Sequence, residues 1–398
     1  MVLVHLVTHI LSAIRTRGSR RSRERQHSVA VVHGQPSITT SRCARPNARG
    51  LRSLLHRENP KRARANMTMH SSLIVIALGG NAIQQPGQAG TFEEQLFNVD
   101  AAARGIASLI TSDCQVVVTH GNGPQVGNLL IQNELGSEVV AQMPMDVCGA
   151  ETQGQIGYML QQCLTNHLRR QRKAVPVVTL VSETEVDASD GAFSVPTKPV
   201  GPFYDATRAK HLEVEKGFVM REDAGRGWRR VVPSPVPVAH LQASVIARLV
   251  AAGVLVVCCG GGGIPVIRGA RGDYRGVEAV IDKDRSAAVL AASIGADTLI
   301  ILTDVPEACL DYGTDRQRAL GRVDCSEMQE HLEAGQFNSG SMGPKVEAAI
   351  QFANSGGSRA VIASLHELRS AVEGTSGTQI LGSSGCAAVV PKRVSGAH

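Results

Sequence analysis

The sequence predicts an α/β protein: a three-layer α/β/α sandwich around a mainly parallel sheet, with an inserted lid subdomain. Short apolar runs and helical patterns alternate along the chain from residue 71, which is typical of this fold class. The apolar runs are continuous, as in strands that are buried on both faces of a sheet. One stretch, residues 182–237, interrupts the alternation with proline, glycine and charge, and we interpret it as the lid.

The elements follow from these periods in chain order. Six apolar runs are predicted to be strands: 73–78, 116–119, 175–181, 254–259, 298–302 and 360–363. Six stretches with helical spacing are predicted to be helices: 92–110, 125–135, 151–170, 241–252, 286–294 and 346–354. Together they predict one domain over residues 71–392.

Residues 1–70 differ from the rest in composition. They contain 13 Arg and one Lys against two Glu, a net charge of +12, so the remaining residues carry −6 of the chain's total of +6. Two interpretations stay open for this basic extension, which we expect to be disordered. It is either an organelle transit peptide, which has this composition, or an upstream stretch that is not translated, with the start at Met67 or Met69.

Composition also excludes several classes of function. The acidic body and the 3% aromatic content argue against nucleic acid as a partner. The sequence has no apolar run of 18 residues, so no membrane span is expected. The nine cysteines form no C-x-x-C pair, which indicates reduced thiols in a cytosol-like compartment, without a zinc site.

Glycine-rich loops follow three of the predicted strands, and a fourth opens a helix. Ligands of open α/β sheets bind beyond the carboxyl ends of the strands, and glycine lets backbone N–H groups approach an anion. We therefore predict a phosphate cradle. The loops are 79–82, 120–127, 260–265 and 340–345. They match neither the P-loop nor the dinucleotide fingerprint, which disfavours those two classes of nucleotide site.

Three lysines lie where a cation could face a transferred phosphate. Lys198 is held between two prolines, whereas Lys283 and Lys345 lie at predicted helix starts. Phosphoryl transfer needs neutralised charge and alignment rather than a covalent nucleophile, and two lysines could supply both. Asp284 could orient them, or it could cap its helix, a role for which Asp282 competes. We expect Mg²⁺ to arrive with the nucleotide, and predict no protein metal site.

These motifs resemble those of carbamate kinases, members of the amino acid kinase fold family. The resemblance covers residues 72–380. It rests on motifs in the family's order: LGGNAI (78–83), VTHGNGPQVGNLL (118–130), PMDVCGAETQGQIGY (144–158), PTKPVGPFY (196–204), GWRRVVPSP (227–235), GGGGIPV (260–266), GVEAVIDKD (276–284), LTDV (302–305) and GSMGPKVEAAI (340–350).

The resemblance implies a role for each matching position. Lys283 and Lys345 would contact the nucleotide phosphates and the transferred group, with Asp284 organising them, and Lys198 would reach carbamoyl phosphate from the lid. The transferred phosphoryl would lie against Gly79, Gly80, Asn81, Gly121, Asn122 and Gly123. The nucleotide would contact Thr303, Asp304, Val305, Met342 and Gly343 as well as the two lysines.

The resemblance also implies ATP or ADP with Mg²⁺ as cofactors, a homodimer, and ATP formation in arginine fermentation. Two positions depart from the family, which often has Lys where Val236 stands and Glu near His240, and this affects how the lid docks. The alternative functions are a related kinase that forms another acyl phosphate and a non-catalytic nucleotide-sensing module. We expect a cytosolic enzyme, or one in a mitochondrion-like organelle if the extension is a transit peptide.

Overall fold

A computed structural model describes residues 72–223, 225–338 and 340–382 of the chain. An eight-stranded sheet forms its centre, and we number strands and helices along the chain. From edge to edge the sheet contains β15 (Arg322–Asp324), β17 (Thr378–Leu381), β16 (Arg359–Ser364), β12 (Thr298–Thr303), β1 (Ser72–Leu78), β2 (Cys114–His120), β9 (Leu255–Val257) and β3 (Val177–Thr179). The extension 1–70 and residues 383–392 of the predicted domain lie outside the described residues.

The sheet is parallel except at one pair of strands. In its middle, Ile76 of β1 lies opposite Val118 of β2 and Ile300 of β12. Only β16 and β17 pair antiparallel within this sheet. The predicted mainly parallel sheet is therefore confirmed, and all six predicted strands belong to it. The prediction missed β15 and β17, which are only three and four residues long.

Helices cover both faces of the sheet. They are α1 (Phe92–Leu109), α2 (Gly123–Gly136), α3 (Met145–Arg170), α4 (Ala206–Lys216), α5 (Ala243–Ala251), α6 (Lys283–Ser293), α7 (Cys325–Glu333), α8 (Met342–Asn354) and α9 (Leu368–Glu373). Val75 and Ala77 of β1 point to the core shared with α5, α6, α7 and α8, whereas Ile74 and Ile76 point to the core shared with α1, α3 and α9. The three-layer sandwich is thus confirmed.

Three helices begin three or more residues earlier than the apolar periodicity predicts. Helix α3 begins at Met145, directly after Pro144, and its first turn contains the buried residues Met145 and Cys148. Helix α6 begins at Lys283 because the Asp282 side chain accepts from two backbone N–H groups of its first turn. Helix α8 begins at Met342, within a glycine-rich turn. The first turns of α6 and α8 carry few apolar residues, so periodicity does not detect them. The first turn of α3 is mostly apolar, and the prediction missed it although the pattern was present.

The predicted lid segment 182–237 divides between two smaller sheets. β4 (Glu183–Val186) and β8 (Pro237–His240) join β10 (Ile264–Arg268) and β11 (Tyr274–Gly276) in a four-stranded sheet. β5 (Lys198–Tyr204), β6 (Val219–Glu222) and β7 (Trp228–Val232) form a three-stranded sheet. Helix α4 packs on the latter through Ala209 and Leu212. We use the word lid for residues 198–232, and a short pair, β13 (Cys309–Leu310) with β14 (Arg318–Ala319), completes the strands.

Candidate functional site

A cavity of about 740 Å³ opens at the carboxyl ends of β1, β2, β12 and β16. Parallel strands present their carboxyl ends at the same edge of the sheet, where ligands of such folds bind. The first turns of α6 and α8 and Lys198 of the lid form the rest of its wall. The structure therefore brings the glycine-rich loops and all three predicted lysines to one cavity.

Asp284 lies between two of these lysines. Its Oδ1 accepts from Lys283 Nζ at 2.5 Å, and its Oδ2 accepts from Lys345 Nζ at 2.9 Å. Asp284 and Lys283 belong to the first turn of α6, whereas Lys345 belongs to the first turn of α8. The three side chains are nearly buried, so the lysines are held by one carboxylate rather than by solvent.

Burial and ion pairing shift the pKa values of Asp284 and Lys283 in opposite directions. Burial raises the pKa of Asp284, but the charges of Lys283 and Lys345 outweigh it, so that this pKa lies below its usual value. Burial lowers the pKa of Lys283, and the neighbouring Asp284 opposes the change. With both lysines protonated, the cluster carries one net positive charge, which suits an anionic group in the cavity.

Lys198 reaches the cavity from the first residue of β5. Its Nζ lies 3.5 Å from Oδ2 of Asp282, just before α6. Oδ1 of the same carboxylate accepts the backbone N–H groups of Asp284 and Arg285, at 3.0 and 3.3 Å. Asp282 is thus the helix cap, and Asp284 is left for the two lysines.

The glycines after β1 and β2 allow backbone segments to approach closely. A Cβ on Gly79 would lie 2.9 Å from the carbonyl oxygen of Leu302, and one on Gly121 would lie 3.2 Å from Cδ of Lys283. Nearby, the Asn81 side chain donates to Asp304, and Asn122 donates to Thr152. These loops can therefore bring N–H groups close to the lysine cluster, a geometry that suits a phosphate.

The third glycine-rich loop lies below the cavity, and only Gly261 lines it. The hydroxyls of Thr184 and Ser286 both donate to the carbonyl oxygen of Gly262 at 2.9 Å. His240 is buried beside them, with Nδ1 3.3 Å from Cys259 Sγ. His240, one of the two departures from the family, therefore supports this loop rather than the lid.

Val236, the second departure, lies on the protein surface. Its side chain is half exposed, and its backbone N–H donates to the Asp190 carboxylate at 2.9 Å. A backbone contact of this kind does not depend on the side chain at position 236.

Most of the predicted site residues line the cavity. They are Gly79, Gly80, Asn81, Gly121, Asn122, Gly123, Lys198, Lys283, Asp284, Thr303, Asp304 and Lys345. Val305, Met342 and Gly343 do not line it. Met342 packs against the core, and Gly343 is buried with its N–H on the carbonyl oxygen of Asn338. Their assignment to a nucleotide site stays a prediction.

The sequence did not single out the wall formed by α1 and by the loop after β16. Phe97 and Ala101 of α1 line the cavity there, and Phe97 is 74% exposed. Leu365 and His366 face them from the loop. The rule that ligands bind beyond strand ends could have identified that loop, since it follows a predicted strand. Phe97 gave no signal, because a single aromatic residue fits an amphipathic helix equally well.

The carboxylates of the cavity leave little room for a metal bound by protein alone. Among the described residues, no group of three or more His, Cys, Asp or Glu side chains could hold a metal ion. Both oxygens of Asp284 accept from lysines, and Asp304 contacts Asn81 and Thr303. This donor set fits a Mg²⁺ ion that keeps phosphate and water ligands. No helix within the described part of the chain is long and apolar enough to span a membrane.

Comparison with known proteins identifies the family. The model of the amino acid kinase family matches residues 72–364. A carbamate kinase from Pyrococcus furiosus is 53% identical over 310 residues, which is 77% of this chain and 98% of the relative. One from Trichomonas vaginalis is 47% identical over 310 residues, 77% of this chain and 99% of the relative.

A solved structure gives the same result. Carbamate kinase from Giardia lamblia bound to AMP-PNP is 43% identical, with a TM-score of 0.76 over 79% of this chain and 100% of that one. The match includes both the sheet and the lid-bearing stretch of the sequence, and it confirms the resemblance that the motifs indicated. The chain belongs to the amino acid kinase family and, within it, to the carbamate kinases.

Proposed function

We infer that this chain catalyses reversible phosphoryl transfer between carbamoyl phosphate and ADP, giving ATP and carbamate, which decays to ammonia and carbon dioxide. It is a phosphotransferase whose acceptor in the reverse direction is a carboxyl group. The observation that carries the inference is the Asp284 carboxylate between Lys283 and Lys345 at the edge of the glycine loops. The identity of about 50% to carbamate kinases over most of the chain supports it.

In the ATP-forming direction, a β-phosphate oxygen of ADP attacks the phosphorus of carbamoyl phosphate. The bond between phosphorus and the carbamate oxygen breaks, and its electron pair stays on the carbamate. Such a transfer needs no covalent enzyme intermediate, so catalysis rests on alignment and on charge stabilisation. We propose that Lys283 and Lys345 stabilise the negative charge on the transferred phosphoryl group and its two flanking oxygens.

We propose that Asp284 favours the charged form of Lys283 and holds both lysines in place. A lysine buried next to another lysine would lose charge, because burial and like charge both lower its pKa. The carboxylate, which bonds to both ammonium groups, offsets this effect. Because its oxygens are already occupied, Asp284 acts on the lysines and accepts no proton from the substrate.

The glycine loops and the lid would hold carbamoyl phosphate. We propose that backbone N–H groups of Gly79, Gly80, Gly121 and Gly123 receive the phosphoryl oxygens, with the Asn81 and Asn122 side chains completing the cradle. Lys198 would reach the substrate from the lid. Its position at the mouth of the cavity, with a side chain that is 41% exposed, allows it to move toward a ligand.

The nucleotide would bind at the β12 side of the cavity. The Giardia lamblia relative binds AMP-PNP, and we extend nucleotide use to this chain. We propose that Thr303, Asp304 and Val305 contact the nucleoside, with Met342 and Gly343 at the start of α8 beside it. Mg²⁺ would arrive with the phosphates and neutralise part of their charge.

The biological setting is also a proposal. We propose a cytosolic homodimer that makes ATP in arginine fermentation, with residues 1–70 outside the catalytic domain. The thiols support a reducing compartment, since the cysteines of the described residues form no disulfide. Sedimentation of the purified chain tests the dimer, and the mass of the native protein tests whether the extension is present.

The deciding experiment is ATP formation by the purified full chain with Mg²⁺, ADP and carbamoyl phosphate, and with acetyl phosphate as the comparison donor. We expect ATP mainly from carbamoyl phosphate. A preference for acetyl phosphate would favour a different acyl phosphate kinase. Binding of ADP without ATP formation from either donor would favour a nucleotide-sensing module.

A further inference from the structure

The Asp282 carboxylate connects the lid to the helix that carries two of the proposed catalytic groups. One of its oxygens caps α6, on the N–H groups of Asp284 and Arg285, and the other lies 3.5 Å from Lys198 Nζ. The carboxylate is also more buried than its lysine partner, with 16% of its side chain exposed against 41%. A helix-capping, largely buried acceptor therefore faces a more exposed cation.

We propose that Asp282 is a positioning residue for carbamoyl phosphate, acting through Lys198. The helix cap fixes the carboxylate, and the carboxylate holds the lid lysine at the mouth of the cavity before substrate binds. This inference rests on the proposed function, because it assigns to Lys198 a ligand that carries phosphate.

The other polar contacts between the lid and the body differ in position. Glu134 at the end of α2 accepts from Tyr204 and Arg208 of the lid, each at 2.7 Å. Glu278 accepts from Arg230 of the lid at 2.5 Å. None of these residues lines the cavity. Among the described residues, Lys198 and Asp282 form the only ion pair between lid and body in which both partners line the cavity.

The ion pair of Lys198 and Asp282 is expected to raise the affinity for carbamoyl phosphate, because a free lysine side chain is flexible. A lysine has four rotatable bonds, and ordering such a side chain on binding reduces affinity several-fold. Asp282 restricts Lys198 in advance, so that bound substrate need not order it fully. The negative charge of Asp282 acts in the opposite sense, because it repels both anionic substrates. That repulsion would act with or without Lys198, and the two effects can therefore be separated.

The test is a double-mutant cycle with the full chain: wild type, Asp282→Asn, Lys198→Met and the double variant. Asparagine caps helices about as well as aspartate, so Asp282→Asn removes the charge and keeps the cap. We expect Asp282→Asn to raise the KM for carbamoyl phosphate about fivefold in the wild-type background and less than twofold in the Lys198→Met background. The KM for ADP should change less than twofold in both.

A matched control is Asp324→Asn. Asp324 caps α7 through the N–H of Glu327, and it lies outside the cavity. It should leave both KM values unchanged. The melting temperatures of the two Asn variants should agree with that of the wild type, which shows that the caps persist.

Two results would overturn the proposal. Equal effects of Asp282→Asn in the two backgrounds would mean that Asp282 does not act through Lys198. If Asp282→Asn lowered the KM for both carbamoyl phosphate and ADP, Asp282 would act only as a charge that repels the substrates. Calorimetric binding of carbamoyl phosphate to the same four proteins, without nucleotide, tests the link independently of turnover. A wild type that binds carbamoyl phosphate but makes no ATP would refute the proposed reaction, while the cycle would still decide on Asp282.

Discussion

At the scale of single residues, the site depends on two carboxylates that are two positions apart and do different work. Asp282 caps α6, which leaves both oxygens of Asp284 free to accept from Lys283 and Lys345. Exchanging these roles would leave the lysines without a partner in a nearly buried position, where a charge is costly. The order of Asp282, Lys283 and Asp284 therefore follows from the chemistry of the site and is not only a family signature.

Replacing Lys283 or Lys345 by alanine should lower turnover by on the order of 10²-fold or more, because each change removes a fixed charge that stabilises the transition state. Steady-state ATP formation measures this, and circular dichroism checks that the fold persists. Lys210→Ala is the control, since Lys210 is an exposed lid lysine whose partner is Glu213. Near-normal turnover in either variant would refute the assigned role.

His120 should make the protein less stable in mild acid. It ends β2 fully buried, and burial lowers its pKa from 6.5 to about 4, partly opposed by the hydrogen bond of Nδ1 to the Gly121 carbonyl. Between these two values the unfolded chain binds a proton that the folded protein does not. The contribution of His120 to the free energy of unfolding is therefore fully present above pH 6.5. It decreases by about 3 kcal/mol as pH falls from 6.5 toward 4.

Urea unfolding between pH 7.5 and 4.5 measures this loss, and the variant His120→Asn isolates it. Asparagine can keep the donor to Gly121 but does not titrate. The difference in unfolding free energy between wild type and variant should narrow as pH falls. A difference that stays constant across this range would contradict the buried neutral histidine.

Residue chemistry predicted part of the site and missed the rest for a physical reason. Lys198, Lys283 and Lys345 were identifiable because a lysine next to prolines or in a helix start is unusual. Asp282 and Asp284 could not be told apart from the sequence, since either can cap a helix. Phe97 lines the cavity only because of where α1 packs, and no local sequence pattern encodes that packing.

At the scale of elements, the lid is a small sheet whose contacts with the body include two groups of carboxylates. Glu134 at the end of α2 accepts from Tyr204 and Arg208, and the segment before α6 provides Glu278 and Asp282. Continuous apolar runs predicted the central strands well because burial on both faces leaves a strong pattern. The lid strands are short and half exposed, so the sequence showed only that the pattern breaks over residues 182–237.

Glu134→Ala should raise the KM for carbamoyl phosphate several-fold and leave the KM for ADP nearly unchanged. The change removes the acceptor of both Tyr204 and Arg208, which loosens the element that carries Lys198. Glu213→Ala is the control, because Glu213 pairs with Lys210 within the same lid helix. Equal changes in the two KM values would show that Glu134 acts on the whole cavity and not through the lid.

At the scale of the whole molecule, charge and catalysis belong to different parts of the chain. The described residues that line the cavity lie between Gly79 and His366, whereas the excess positive charge lies in residues 1–70. Composition revealed this division. It could not reveal the pairing partners of the last strands, because register in a parallel sheet depends on contacts far apart in sequence.

Residues 67–398 should therefore have the same kcat/KM for carbamoyl phosphate as the full chain. They carry a net charge of −6 against +6 for the full chain, so only the full chain should bind a cation exchanger at neutral pH. ATP formation and chromatography of the two purified proteins check these expectations. A large loss of kcat/KM in the shorter protein would show that the extension contributes to folding or activity.

The position of β17 has a consequence for how the protein is made. This strand pairs with both β15 and β16, antiparallel to the latter, so residues 378–381 fill an interior place in the sheet. While a ribosome synthesises the chain, β15 leaves the exit tunnel long before its neighbour exists. The nascent protein thus cannot place β15 in its sheet until residues 378–381 have been made. A premature stop between residues 367 and 377 removes the strand that joins β15 to the rest of the sheet, although every described residue that lines the cavity has already been made.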